Sequence, residues 1–179
     1  MLFTITRPSL IIPALRFAQS QIGTMESPLG SNRGPMVDQY HRAVGLSPAG
    51  GNAWCASFVY WCFQQAAEQA RAVNPAIKSA HCLTIWRTAN NLITPKQVTA
   101  VRAKANYALI KPGMIFIMEI NKNTGAGHTG FIESVNYRTG VMTTVEGNSN
   151  ENGSREGLGV FRLNRRRVEH INIGFIEYT

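Results

Sequence analysis

Asn52-Ala53-Trp54-Cys55-Ala56-Ser57-Phe58-Val59-Tyr60-Trp61 opens an apolar run just after Gly50 and Gly51, which break any earlier helix. Phe58, Val59, Cys62, Phe63 and Ala66 then recur at helical spacing, so the stretch predicts a helix from Cys55 to about residue 72. Cys55 therefore sits in a first helical turn. Unpaired N–H groups and the positive end of the helix dipole lower a thiol's pKa there. The same N–H groups can hold the oxyanion that forms when a thiolate attacks an amide carbonyl. The competing reading, one more buried small apolar residue, loses to Cys55's partners further along the chain.

Two helices are expected upstream. Ile12, Leu15, Phe17, Ala18 and Ile22 mark residues 12–23, and Pro35 opens a second helix carrying Met36, Val37, Tyr40 and Val44. Downstream, Cys82 opens a short helix through about residue 92, with Leu83, Trp86 and Ala89. The second half changes character. Residues 114–120, 128–135, 141–146, 159–162 and 171–178 are short, β-rich and separated by Gly/Asn turns. Helices first and strands second predict an α+β fold, N-terminal helices packed on an antiparallel sheet.

His128 follows Gly125-Ala126-Gly127 and starts a strand whose hairpin turn is Asn136 to Gly140. If Val135 pairs with Val141, His128 faces Asn148; a register shifted by two puts it opposite Glu146. Side chains alternate along a strand, so Glu146 and Asn148 share the face of His128 in either register. A histidine base needs its ring oriented, and a carboxylate or amide accepting its ring N–H supplies that.

The bulk properties narrow the function less sharply. The chain has 179 residues, 44% of them apolar, and a net charge of +8, with Asp38 its one aspartate. That is enough for one domain with a real core. A basic chain meets nucleic acid, anionic membranes or anionic wall polymers, and charge alone does not choose. Arg162, Arg165, Arg166 and Arg167 form the densest cluster, read as a solvated face as readily as a binding one. No aromatic–basic ladder supports nucleic-acid binding. Three cysteines without paired spacing imply neither a disulfide framework nor a zinc site. Cys62 is read as helix core. No stretch approaches a membrane span. Residues 1–18 hold only a short apolar run, interrupted by Pro13, and do not read as a signal peptide.

Four segments in order carry a resemblance: Trp54-Cys55-Ala56-Ser57-Phe58-Val59, Lys111-Pro112-Gly113-Met114-Ile115-Phe116, Gly127-His128-Thr129-Gly130-Phe131 and Val145-Glu146-Gly147-Asn148. Together they resemble the CHAP family of cysteine, histidine-dependent amidohydrolases/peptidases, papain-like enzymes that hydrolyse amide bonds, mostly in peptidoglycan. Gly30-Ser31-Asn32-Arg33-Gly34-Pro35 and residues 37–45 resemble its bacterial and phage members. The resemblance implies one catalytic domain over residues 1–179, with its core at about 12–178. It makes Cys55 the nucleophile, His128 the base that also protonates the leaving amine, and Glu146 the group orienting His128, with Asn148 in support. Asn52 and the Cys55 N–H are the expected oxyanion donors. Trp54 and Trp86 are candidate groove residues, and Trp61 is read as core. Some members carry an Asp-rich calcium loop before the cysteine. This chain does not, so neither metal nor cofactor is expected.

The expected activity is cleavage of an amide in the peptidoglycan stem peptide or cross-bridge through a Cys55 acyl-enzyme. The bond is left open between the muramoyl–L-alanine amide and a peptide bond. The setting expected is an antibacterial effector of a type VI secretion apparatus, with a cognate immunity protein and a secretion component as partners, or else a phage lysin. Either is made in the cytoplasm and carried to the periplasm or cell wall by another system. The alternatives are a cytosolic small-molecule amidase and a non-catalytic module that holds an anionic polymer.

Overall fold

The structure, a computed structural model, describes residues 8–122, 124–151 and 157–178. Residues 1–7, the front of the stretch read for an export signal, lie outside them. Helices lead: α1 (Ile11–Ser20), α2 (Pro35–Ala43), α3 (Cys55–Ala70) and α4 (Cys82–Asn90). The remaining elements are β1 (Lys96–Thr99), α5 (Ala100–Ala105), β2 (Ile115–Glu119), β3 (Gly127–Val135), β4 (Val141–Ser149), β5 (Gly159–Arg167) and β6 (Gly174–Glu177). The strands form one sheet in the order β1-β6-β2-β3-β4-β5, with every pairing antiparallel. The α+β architecture is the expected one.

α3 is the central element. It buries Cys55, Phe58, Val59, Trp61, Cys62, Phe63 and Ala66, more than a single apolar stripe, which makes it a core helix rather than a surface one. Tyr40 of α2 wedges against it, with ring centroids 5.5, 5.3 and 5.1 Å from Trp54, Phe58 and Trp61. On its other side Phe63 lies 5.6 Å from Phe131 of β3 and 5.0 Å from Tyr178. Truncating one such ring costs about 3–5 kcal/mol, a large share of the roughly 5–15 kcal/mol that holds a domain together.

Alternation along the strands gives the sheet two buried faces. Ile115, Ile117, Phe131, Val145 and Ile176 pack under the helices. Phe116, Ile132, Met142 and Phe175 join Ala103, Ile110, Met114, Val168 and Ile171 in a second core on the opposite face. The sequence reading did not anticipate β1 or α5, which help cover that second core. Each is too short, and β1 too polar, to display a period.

The hairpin register corrects one expectation. Val135 pairs with Met142 rather than with Val141. A bulge between Ile132 and Ser134 absorbs the extra residue, so that Ile132 faces Thr144 and Phe131 faces Val145. Beyond the bulge the pairing is again the kind that puts His128 and Glu146 on one face.

Packing of α3 on β4 requires the absence of a side chain at Gly147. A Cβ there would lie 2.7 Å from Cγ of Phe58 and 2.8 Å from Cζ3 of Trp54. Gly147→Ala should therefore lower stability by about 1–3 kcal/mol, the usual cost of overpacking, read as a lower urea midpoint with an unchanged slope. A midpoint equal to the wild type's would show that α3 can move away from β4 freely.

Candidate active site

Cys55 is the first residue of α3. A single 3₁₀ turn, Pro48–Gly50, and the left-handed Gly51 (φ 54°) deliver the chain to it. The residue before it is clamped twice. The indole N–H of Trp54 donates to Oε1 of Glu26 at 2.8 Å, and Oε2 of Glu26 accepts from the Asn32 N–H at 3.0 Å. The Asn148 amide, oriented to satisfy both its ends, accepts from the Trp54 backbone N–H at 3.1 Å and donates to the Gly157 carbonyl at 3.3 Å. The start of the helix is thus tied to the loop before it and to β4.

These contacts revise two sequence readings, the groove roles of Trp54 and Trp86, and give Asn148 its place. Trp54 is fully buried, so it shapes the loop before Cys55 rather than a groove. Asn148 lines the same cleft as Cys55 and His128 and supports the loop before the nucleophile through its contact with Trp54. Its φ of +52° is left-handed, a conformation Asn tolerates better than most residues, and it breaks the strand alternation that the reading assumed. Trp86 packs toward Gly174 of β6 and does not line the cleft beside Cys55.

His128, at the start of β3, is bonded through Nε2 to Oε2 of Glu146 at 2.8 Å. Glu146 is wholly buried and every oxygen lone pair has a use. Oε1 accepts from Thr144 Oγ1 at 2.6 Å and Arg166 Nε at 2.7 Å. Oε2 also accepts from a terminal Arg166 nitrogen at 2.7 Å and from Ser149 Oγ at 3.4 Å. The guanidinium lies 5.2 Å over the ring of Phe116, a further stabilising contact for a cation. Gly130 makes the seat: a Cβ there would lie 2.7 Å from Cγ of Glu146.

Burial pushes the Glu146 carboxyl up, but hydrogen bonds from Arg166 and His128 outweigh it and hold the group well below the usual carboxylate range. His128 stands at about 9. Burial would lower it, while the Cys55 thiol and Glu146 on either side raise it. Cys55 is held well below the ordinary thiol range, first by the Cys82 thiol and then by His128, against the effect of burial. The two sulfurs are 3.7 Å apart. Cys82 is itself pushed up, by its bond to Cys55 and by burial, and burial likewise pushes Cys62 up. The arrangement favours a Cys55 thiolate beside a His128 imidazolium, with Cys82 as a protonated S–H donor.

The groups meet in a cleft of about 580 Å³ lined by Cys55, Cys82 and His128 together with Asn52, Arg165 and Arg166. Asn52 stands on the loop before the nucleophile helix and lines the same cleft. No group of three or more His, Cys, Asp or Glu side chains placed to hold a metal ion occurs among the described residues. Sequence reasoning missed Arg166, Cys82 and Glu26. Cys82 alone carried a signal, since it opens a helix as Cys55 does.

An α+β fold with a thiol at a helix start and an imidazole–carboxylate pair on adjoining strands defines the class of cysteine–histidine hydrolases. The family model of the CHAP domain matches residues 47–148, more than half of the chain and the stretch that holds Cys55, His128 and Glu146. The chain belongs to that family of cysteine, histidine-dependent amidohydrolases and peptidases. No curated protein and no solved structure matches the chain.

The thiol environments give a direct test. At neutral pH iodoacetamide should label Cys55 alone in the folded protein, because Cys62 and Cys82 are held up. Cys82→Ala should slow that labelling by removing a donor to the thiolate. His128 has a raised pKa, so its imidazolium persists up to about 9 and is lost above it. Turnover should accordingly fall at alkaline pH while the thiolate remains reactive. Equal labelling of all three cysteines, followed by peptide mass spectrometry, would contradict the assignment of the reactive thiol.

Proposed function

We propose that the protein is a peptidoglycan hydrolase that cleaves an amide bond of the stem peptide or cross-bridge. The Cys55 thiolate attacks the carbonyl carbon, and the carbonyl oxygen takes up negative charge facing the first N–H groups of α3 and Asn52. Collapse breaks the C–N bond; the imidazolium of His128 gives its proton to the leaving amine, and a thioester remains on Cys55. His128 then takes a proton from water as that water attacks the thioester, and the acid is released with the thiolate restored. Glu146 keeps the imidazole in place throughout, and Arg166 keeps Glu146 in place.

The observation that carries this reading is the Glu146–His128 pair opening onto the same cleft as a thiol set in a first helical turn, inside the CHAP match. Purified sacculi incubated with the protein should release new termini detectable by mass spectrometry, and their chemistry names the bond. Cys55→Ala should abolish release. His128→Ala should cost about 10²–10⁴-fold, and Glu146→Gln less. Arg166→Lys keeps the charge but loses the fork, and should cost roughly tenfold in kcat with little change in KM. Release by Cys55→Ala equal to wild type would remove the mechanism altogether.

The proposed place of action is the periplasm or cell wall, reached with the help of another system. The role is that of an antibacterial effector countered by an immunity protein, or of a phage lysin. Cytoplasmic expression in a Gram-negative host should then be tolerated. Fusion to a periplasmic signal peptide should cause rounding and lysis, and Cys55→Ala should cancel both. Toxicity confined to the cytoplasm would instead favour a small-molecule amidase.

A further inference from the structure

β5 carries four arginines, and three of them meet carboxylates. Arg162 pairs with Glu133 at 2.8 Å, Arg166 with Glu146 at 2.7 Å and Arg167 with Glu169 at 3.5 Å. Arg165 differs. Its guanidinium donates to the Asn150 carbonyl at 2.7 Å and to the Glu151 carbonyl. These neutral acceptors hold the group in place, and no carboxylate among the described residues pairs with it.

Consecutive strand residues ordinarily face opposite sides of a sheet. Here the pairing of β5 with β4 slips between Met142↔Arg166 and Thr144↔Leu163, and Arg165 and Arg166 both line the cleft of Cys55. Re-aiming a side chain next to a site is a common use of a bulge. One arginine is spent on Glu146, and the other is left facing the opening.

Nothing on the described walls answers that charge. Among the described residues the lining includes no Asp or Glu, and Glu146 lies behind it with its lone pairs filled. α3 and α4 open onto the same space through Cys55 and Cys82, with no acidic residue in either first turn. Both dipoles therefore add to the positive field. A cleft walled by one sign of charge concentrates ligands of the other.

We propose that Arg165 seats a free carboxylate of the substrate. The amide that Cys55 attacks belongs to a chain with a carboxylate close to the scissile bond, and the version with a carboxamide there is the poorer substrate. The inference rests on the hydrolase reading above. Its chemistry is that of an arginine fork, with two N–H donors on Arg165 carrying the structural bonds and the rest free for the ligand.

Two measurements test it separately from that reading. The first needs no substrate: the ratio of Cys55 alkylation rates with anionic iodoacetate and neutral iodoacetamide reports the field at the thiol. Arg165→Gln should lower that ratio severalfold without unfolding the protein, since Arg165 is exposed and contributes no core contact. The second uses matched stem-peptide fragments that differ only in a carboxylate or carboxamide beside the scissile amide. Wild type should prefer the carboxylate by about 10–100-fold in kcat/KM, the worth of a hydrogen bond to a charged group. Arg165→Gln should erase the preference by slowing the carboxylate substrate alone. An unchanged alkylation ratio overturns the anion seat. So does a wild-type enzyme that cuts both fragments alike, or a variant that slows both equally. If wild type cuts neither fragment and no sacculi, but the ratio falls in Arg165→Gln, the seat stands and the hydrolase reading is what fails.

Discussion

A wholly buried carboxylate has to be ionised to orient an imidazolium, and ionised carboxylates do not survive burial alone. Desolvation costs several kcal/mol even after relaxation. Glu146 meets that cost with a two-pronged guanidinium at 2.7 Å on each oxygen, a threonine hydroxyl at 2.6 Å and the His128 ring at 2.8 Å. Its donors come from three strands: β3 for His128, β4 for Thr144 and β5 for Arg166. The pairing of β4 with its two neighbours is therefore a condition of the site as well as of the fold. The β3–β4 register shifts once and the β4–β5 register twice, and the two β4–β5 shifts flank Thr144 and Glu146.

A second buried carboxylate organises the other half of the cleft. Glu26 ties the Trp54 indole to the turn at Asn32, while Asn148 ties the Trp54 main chain to β4 and Gly157. The nucleophile helix thus begins at a point fixed from the loop on one side and the sheet on the other. Tyr40 stacks 5.5 Å from the Trp54 ring and carries the restraint into α2. A side chain on a first helical turn is only as well placed as the residue before it, which is why so many contacts converge on a residue with no access to substrate.

The parts of this design that lie close in sequence or follow a period were legible. Cys55 announced itself by glycines before it and an apolar helical face after it. His128 and Glu146 followed from strand alternation, and the local bulge left that inference intact at the site end of the hairpin. Arg166 was invisible for a physical reason. Whether a cation in a basic run faces solvent or a buried acid depends on the β4–β5 slip, and no local pattern encodes that slip. A cluster left open between a solvated and a binding face resolves into four arginines with four different sets of partners. Cys82 and Glu26 lie 27 and 28 residues from the groups they touch, with no spacing rule to connect them. The left-handed backbone at Asn148 falls within the β4–β5 irregularity between Glu146 and Ser149, which strand alternation does not foresee.

The pairing of Arg166 with Glu146 also bears on how well His128 can act. A base that activates a thiol must afterwards surrender its proton to an amine, and it does both best when its pKa lies near the working pH. A lone buried carboxylate at 2.8 Å would hold the imidazolium too firmly and leave it a weak acid. Arg166 draws off part of that field, so Glu146 orients the ring while exerting less pull on its proton. With the thiolate, imidazolium, carboxylate and guanidinium all charged, the four groups sum to zero, and the same sum holds once the thiolate charge has moved onto the oxyanion. Arg165, next in the chain but turned to the cleft, stands outside that neutral set. Its charge is free to act on whatever enters, so two adjacent arginines divide the work of setting the acid–base balance and selecting the ligand.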